Sequence, residues 1–183
     1  MNNVTLLVIV LIAVVIIVGL VIFFLFRRRR DQQERQQRAR QEYGPEYERL
    51  VQERGSEQEA EQELRERKER LDDETRPLSE ESRGLYQERW QWVERTFVDD
   101  PEAALGEADL VVNEILIERN FPTDSRQEAS EGVGVIHPEV VEDFREAQQI
   151  HQNATGSQGE VDLEEMRRAI QKYRSVYERL TER

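Results

Sequence analysis

The sequence predicts a mainly α-helical protein with an N-terminal transmembrane helix, a helical stalk and a small C-terminal helical bundle. Three observations lead to this prediction. An apolar run without a charged residue occupies residues 4–26, a segment rich in Glu, Gln and Arg follows it, and apolar residues return at helical spacing beyond residue 77. The 183 residues have room for about one domain plus appendages.

The first element is a transmembrane helix over residues 4–26, preceded by a short extracytoplasmic N-terminus, residues 1–3. Only Thr5 and Gly19 interrupt its aliphatic and aromatic side chains. A helix of this length reaches roughly 35 Å, enough to cross a hydrocarbon core of about 30 Å. A cleaved signal peptide would have a basic segment before a shorter apolar run. We therefore expect a membrane anchor rather than a leader or a buried helix of a soluble protein.

Charge then predicts the orientation of the anchor. Residues 27–40 contain seven arginines and two acidic residues, a net charge of +5, and the overall charge of −13 leaves −18 for residues 41–183. Basic residues favour the cytosolic side, which places the N-terminus outside and the C-terminal domain in the cytosol. An anionic-lipid site in the basic juxtamembrane segment, residues 27–42, is the alternative role for these charges. The acidic remainder argues against nucleic acid as a partner. The arginines at the end of the anchor are Arg27, Arg28, Arg29 and Arg30.

Residues 43–76 predict a charged helical stalk, because they contain too few apolar side chains to form a core. Leu50, Leu64 and Leu71 share one heptad frame, but Glu57 occupies the intermediate position, so a coiled coil is not indicated. Gly44 and Pro45 break the pattern early, as expected where one helix ends and another begins. The prediction is a short juxtamembrane helix, a kink and a long solvated helix, with a disordered linker as the alternative.

Residues 77–183 predict a helical bundle of four longer helices. Ser79 is a candidate N-cap for the first, in which Tyr86, Trp90 and Val93 lie on one face. The second begins with Asp100 as N-cap and is followed by a polar stretch containing two glycines. A small bundle with the apolar stripes turned inward is the most economical arrangement of such helices.

Two further helices complete the predicted bundle. Pro138 is expected to open the third helix, which ends at a loop over residues 153–159. Asp162 and Glu165 form a capping-box-like start for the last helix. That helix has the clearest apolar stripe, formed by Leu163, Met166, Ile170, Tyr173, Val176, Tyr177 and Leu180.

Tests for known chemistry are negative. The chain has no cysteine, which excludes thiolate nucleophiles and cysteine-bound metal sites. It also lacks the glycine-rich phosphate loops, the nucleophile elbow of serine hydrolases and the histidine spacing of zinc proteases. We therefore predict no catalytic, cofactor-binding or metal-binding residue, and we do not expect an enzyme.

Two residues are candidates for interaction with a partner. Trp92 lies off the apolar stripe that includes Trp90, and a large aromatic side chain outside a core is typical of an interface. His137 precedes Pro138, and its more common role is to pack against a helix start.

Four strings stand out after the anchor: YGPEY at residues 43–47 with Arg49, Leu50 and Val51, RPLS at 76–79, FVDDP at 97–101 and HPEVVEDFR at 137–145. They resemble those of a widespread bacterial family of membrane or secreted proteins of unknown function. The resemblance covers nearly everything after the anchor. It implies a bacterial inner membrane as the location, provides no mechanism, and singles out the motifs around Gly44 and His137 as the first places to mutate.

Two classes of function remain. In the first, the protein is a membrane-anchored interaction or scaffold module whose partners are the lipid bilayer and another protein or a second copy of itself. In the alternative, the bundle is a small-molecule sensor or an unrecognised enzyme, with a pocket between helices near His137 lined by Glu142 and Arg145. The first is favoured because catalytic motifs are absent and tethering raises the effective concentration of weak partners.

Overall fold

A computed structural model describes residues 36–156 and 161–182, together with Phe23. Every regular element in these ranges is an α-helix, which confirms the mainly α prediction. No helix in the described ranges combines the length and apolar character needed to span a bilayer. The predicted anchor, apart from Phe23, and the arginines Arg27, Arg28, Arg29 and Arg30 lie outside the described residues.

The described chain divides after Gln41. Residues 36–41 on one side of this boundary are helical. The compact unit that begins at Glu42 contains seven helices among the described residues. They are α1 (Pro45–Arg54), α2 (Glu57–Glu74), α3 (Glu80–Thr96), α4 (Pro101–Glu118), α5 (Arg126–Ile136), α6 (Val141–Thr155) and α7 (Leu163–Thr181).

Helices α1 and α2 form a hairpin, which differs from the stalk that the composition predicts. Gly55, with φ 69°, ends α1 in the left-handed conformation, a common helix stop because glycine has no Cβ to clash. Ser56 then caps α2 by accepting a hydrogen bond from the Glu59 amide (3.3 Å). Most of the few apolar residues of the hairpin are buried, and Leu50 and Leu64 are fully buried. The hairpin packs on α5 and belongs to the same compact unit as the bundle.

Helices α3 and α4 begin where the capping residues predict. The Ser79 hydroxyl accepts a hydrogen bond from the Ser82 amide (3.0 Å), and the Asp100 carboxylate accepts one from the Ala103 amide (3.0 Å). Pro101 occupies the first turn of α4, where its missing N–H costs no hydrogen bond. The two helices pack against each other, and the buried face of α3 carries Tyr86, Trp90 and Val93.

Helix α5 is the element that the sequence pattern did not predict. The polar stretch with Gly132 and Gly134 is helical and is capped by Ser125, which accepts from the Glu128 amide (3.1 Å). Both glycines allow close approach of a neighbour. A Cβ on Gly132 would lie 3.0 Å from the ring of Pro122, and a Cβ on Gly134 would lie 2.5 Å from Cγ of Glu46. These residues therefore reflect packing rather than a loop.

Helices α6 and α7 complete the core with α4. Helix α6 begins at Val141 after a turn and not at Pro138, which corrects the predicted start by three residues. Asp162 caps α7 by accepting from the Glu165 amide (2.7 Å), as predicted. The apolar face of α7 packs against both α4 and α6, and its fully buried members include Ala169, Tyr173 and Val176.

Candidate functional site

Four exposed large apolar residues of the bundle lie on α3 and α4. Leu85 and Trp92 are two turns apart on α3, and Leu110 and Ile117 are two turns apart on α4. All four are between 42% and 61% exposed. Residues seven apart lie on the same side of a helix. Each helix therefore presents an apolar pair to solvent instead of to the core.

Arg89 connects the two helices within this surface. Its Nε donates to Glu107 (2.6 Å), and its Nη1 donates to Glu114. Glu107 and Glu114 are close neighbours of Leu110 on the surface of α4, while Arg89 lies between Leu85 and Trp92 on α3. The apolar pairs therefore flank a shared ion-pair cluster. We name this surface, formed by Leu85, Arg89, Trp92, Glu107, Leu110, Glu114 and Ile117, the α3–α4 face.

The two tryptophans have different environments. Trp90 is buried and stacks on Tyr177 with ring centroids 4.7 Å apart. Trp92 is exposed beside Leu85 in a shallow depression that Arg95 also lines. Helical spacing predicts this separation. Leu110 and Ile117 were not identified from the sequence as candidates for an interface. Both lie outside the apolar stripe that predicts the buried face of α4, and this position could have identified them.

His137 is not part of an exposed surface. It is only 9% exposed, ends α5, and packs 6.4 Å from the ring of Phe121. Neither of its ring nitrogens donates or accepts a hydrogen bond among the described residues. Burial, together with the nearby Arg119 and Arg179, lowers the pKa of His137 to about 4, so the ring is neutral at pH 7. This placement supports a packing role rather than contact with a partner.

The two motifs of the family resemblance meet in the structure. Gly44 has φ 51°, and a Cβ added there would lie 3.3 Å from Cβ of Pro138. Glu46, which is fully buried, accepts from Arg49 through Nε (3.1 Å) and Nη2 (2.9 Å) and forms an ion pair with Arg145. The ion pair joins α1 to α6. Sequence patterns could not reveal it, because 99 residues separate its partners.

Glu142 and Arg145, which were predicted to line a pocket near His137, take part in the same group of ion pairs as Glu46. Arg145 pairs with Glu142 (2.9 Å) on its own helix and with Glu46 on α1. Burial lowers the pKa of Arg145, but its two carboxylate partners keep the guanidinium matched with opposite charge. Its contacts therefore hold two helices together.

A second buried polar cluster surrounds Asp109 on α4. Tyr173 donates to its Oδ1 (2.6 Å), and His151 Nδ1 and Arg126 Nη1 each lie 3.5 Å from the same oxygen. Burial favours a higher pKa for Asp109, but the neighbouring His151 and Tyr173 outweigh it, and the pKa lies below its ordinary value. The cluster contains no hydroxyl or thiol nucleophile beyond the phenol of Tyr173, whose pKa burial raises further. It ties α4, α5, α6 and α7 together.

A groove of about 510 Å³ runs between α2 and α5. Leu71, Phe121 and Val135 provide its apolar part, and charged residues that include Arg67 and Arg70 line its rim. Arg67 is already paired with Glu131 (2.7 Å), whereas Arg70 has no ion-pair or hydrogen-bond partner among the described residues. His137 is not among the residues that line the groove. In the described part of the chain, no three acidic or histidine side chains are grouped as a metal site would require.

Comparisons with family models, curated proteins and solved structures find no match to this chain. The resemblance of the two motifs to a bacterial family remains a prediction, and so do the predicted membrane location and partners.

Proposed function

We propose that this protein is a membrane-anchored interaction module whose helical domain binds a protein partner through the α3–α4 face. The observation that carries the proposal is the placement of Leu85, Trp92, Leu110 and Ile117 on the outside of the bundle. Exposed apolar side chains beside charged groups are typical of protein interaction sites. The Arg89 ion pairs lie between the two apolar pairs and contribute orientation more than affinity.

The membrane anchor supports the same function. We propose that residues 4–26 cross the bacterial inner membrane and that the basic residues after them keep the helical domain in the cytosol. Confinement to a membrane raises the effective concentration of a weak partner in the same bilayer. A modest surface of this kind would then be sufficient for binding.

Site-specific photocrosslinking in intact membranes tests the interaction role. A photoreactive amino acid is placed at Trp92 or Ile117 in the full-length chain, with Leu163 as the control position because it is a similarly exposed apolar residue on α7. We expect adducts of one defined mass from both positions on the α3–α4 face and none from Leu163. Equal labelling from all three positions would contradict the proposal.

The topology has a separate test that uses the absence of cysteine in the chain. A membrane-impermeant maleimide should label Asn2→Cys in intact spheroplasts and should label Gln152→Cys only after lysis. Gln152 is suitable because its side chain is exposed on α6. Labelling of Gln152→Cys in intact spheroplasts would reverse the proposed orientation.

The groove between α2 and α5 supports a second candidate function, the binding of a small molecule. Its volume of about 510 Å³ lies in the usual range for ligand sites, and Arg70 at the rim suits a carboxylate attached to an apolar group. Dansylglycine has this chemistry. We expect dansylglycine to bind saturably to the protein in nanodiscs. Arg70→Glu should weaken this binding. Arg65→Glu, an exposed control on the same helix, should leave it unchanged. Binding no greater than to empty nanodiscs would remove this candidate.

A further inference from the structure

The exposed side of α3 has a spacing of its own. Leu85, Glu88, Trp92 and Arg95 follow one another at intervals of three, four and three residues, and all four side chains are exposed. This is the spacing with which one helix packs along another. The buried residues of α3, including Trp90, lie on a different side of the helix. Helix α3 therefore has one stripe for the core and a second stripe without a partner in the described fold.

Two charges on this outer stripe are unmatched. Glu88 and Arg95 have no ion-pair or hydrogen-bond partner among the described residues. Their neighbours differ, because Arg89 pairs with Glu107 and Glu94 pairs with Arg174 (2.9 Å). The unmatched pair consists of opposite charges seven residues apart on either side of Trp92.

We infer that the partner of the α3–α4 face is a second copy of this chain, bound so that the two α3 helices run antiparallel about a two-fold axis. The inference rests on the interaction role proposed above and names its partner. With the axis between Gln91 and Trp92, Glu88 of each copy faces Arg95 of the other, because these residues are equidistant from the axis. The two Trp92 side chains meet beside the axis.

The same two-fold rotation also brings apolar residues together at each end of the contact. Leu85 and Val98 are equidistant from the axis, so each Leu85 lies beside the partner's Val98. Val98 follows α3 and is 82% exposed, and pairing it with leucine removes apolar surface from water. A parallel pair in register would instead place Glu88 beside Glu88 and Arg95 beside Arg95, which is unfavourable. The pattern is therefore complementary to itself in one orientation only.

Charge and size are consistent with this partner. The whole chain has a net charge of −13, which opposes contact between two copies over most of their surface. The outer stripe of α3 is balanced, with one acidic and one basic residue. A helix of 17 residues is roughly 25 Å long, so the contact is small beside a standard interface of about 800 Å² per partner. Leu110 and Ile117 on α4 enlarge it, and a shared membrane compensates for weak affinity.

Single cysteines provide the first test, because the natural chain has none. Under mild oxidation in isolated membranes, we expect Trp92→Cys to form a disulfide-linked dimer of the full-length chain. Leu85→Cys should not, because the two copies of residue 85 would be roughly 20 Å apart along the antiparallel pair, beyond the reach of a disulfide. The double variant Leu85→Cys, Val98→Cys should crosslink again. A dimer from Leu85→Cys without one from Trp92→Cys would overturn the antiparallel arrangement.

Charge exchange provides the second test, by single-molecule measurement of the dimer fraction in nanodiscs or supported bilayers. Glu88→Arg and Arg95→Glu each convert two attractive contacts into two repulsive ones, and each should weaken dimerisation by about tenfold. The double variant Glu88→Arg, Arg95→Glu exchanges both charges and should restore it. Glu69→Arg, an exposed reversal on α2, is the matched control and should change nothing. These surface changes leave the core intact, so loss of folding does not confuse the result.

The outcomes separate this inference from the proposed function. Failure of the double variant to restore dimerisation, together with photocrosslinks from Trp92 to a different protein, overturns self-association and leaves the interaction module in place. Absence of any adduct from the α3–α4 face removes both. Restoration by charge exchange supports the two-fold dimer specifically. In this dimer each reversed charge faces the other reversed charge, whereas an unrelated partner would keep its original charges and would not regain binding.

Discussion

His137 should make this protein less stable in mild acid. Its imidazole is buried beside Phe121, and neither ring nitrogen has a hydrogen-bond partner among the described residues. Burial is the main reason that its pKa falls from the ordinary 6.5 to about 4, with a further contribution from Arg119 and Arg179, while Glu139 acts in the opposite direction. The folded protein therefore resists protonation at a position where the unfolded chain accepts a proton readily.

The size of the effect follows from the two pKa values. Because the pKa of His137 is lower in the folded state, its contribution to the free energy of unfolding is complete above about pH 6.5. This contribution is lost as the pH falls towards 4. One pKa unit corresponds to about 1.4 kcal/mol. The free energy of unfolding should therefore fall by about 2 kcal/mol between pH 7 and pH 5 from this residue alone, and by roughly 3 kcal/mol once the pH is below 4.

The assay compares thermal unfolding of the full-length chain in detergent at pH 7 and pH 5 with that of His137→Leu. Leucine removes the titrating group without removing a hydrogen bond, so the variant should be at least as stable as the natural chain at pH 5. His151→Gln is the matched control, since it removes the other histidine and leaves His137 in place. The reasoning is refuted if His137→Leu loses as much stability on acidification as the natural chain does.

Two further predictions concern packing and buried hydrogen bonds, with thermal unfolding followed by circular dichroism as the measurement. Gly134→Ala should destabilise the fold by roughly 1–3 kcal/mol, because the added Cβ would lie 2.5 Å from Cγ of Glu46. Gly106→Ala, where nothing lies within 4 Å, should instead stabilise α4 by up to about 1 kcal/mol, and equal effects at the two sites would contradict the packing argument. Tyr173→Phe should cost roughly 1–3 kcal/mol because the buried carboxylate of Asp109 loses its hydroxyl donor at 2.6 Å, and an unchanged melting temperature would show that this hydrogen bond adds no net stability.

Helix starts were the most predictable part of this fold. Ser79, Asp100 and Asp162 all cap the helices that their positions predict. A cap is a contact between a side chain and an amide only three residues away. The residues of a single helical turn are therefore enough to predict it. Helical periodicity works over a similar range, and it correctly places Trp90 in the core and Trp92 outside.

Features that depend on distant neighbours were not predictable in the same way. Helix α5 resembles a loop in composition, because Gly132 and Gly134 are poor helix formers, and only the positions of Pro122 and Glu46 explain them. The α1–α2 hairpin appeared too polar to pack, yet its few apolar side chains find a partner in α5. Both errors arise because tertiary packing overrides local composition.

The buried pair of Glu46 and Arg145 also has a mechanical consequence. Any force that reaches the domain through its N-terminal end enters at the start of α1, and Glu46 lies in the first turn of that helix. The ion pair between Glu46 and Arg145 would transfer this force directly from α1 to α6. Peeling α1 away from α6 would require this ion pair and its hydrogen bond to break together. Helices α3, α4, α6 and α7 pack through separate contacts, so they would stay packed after the hairpin had opened.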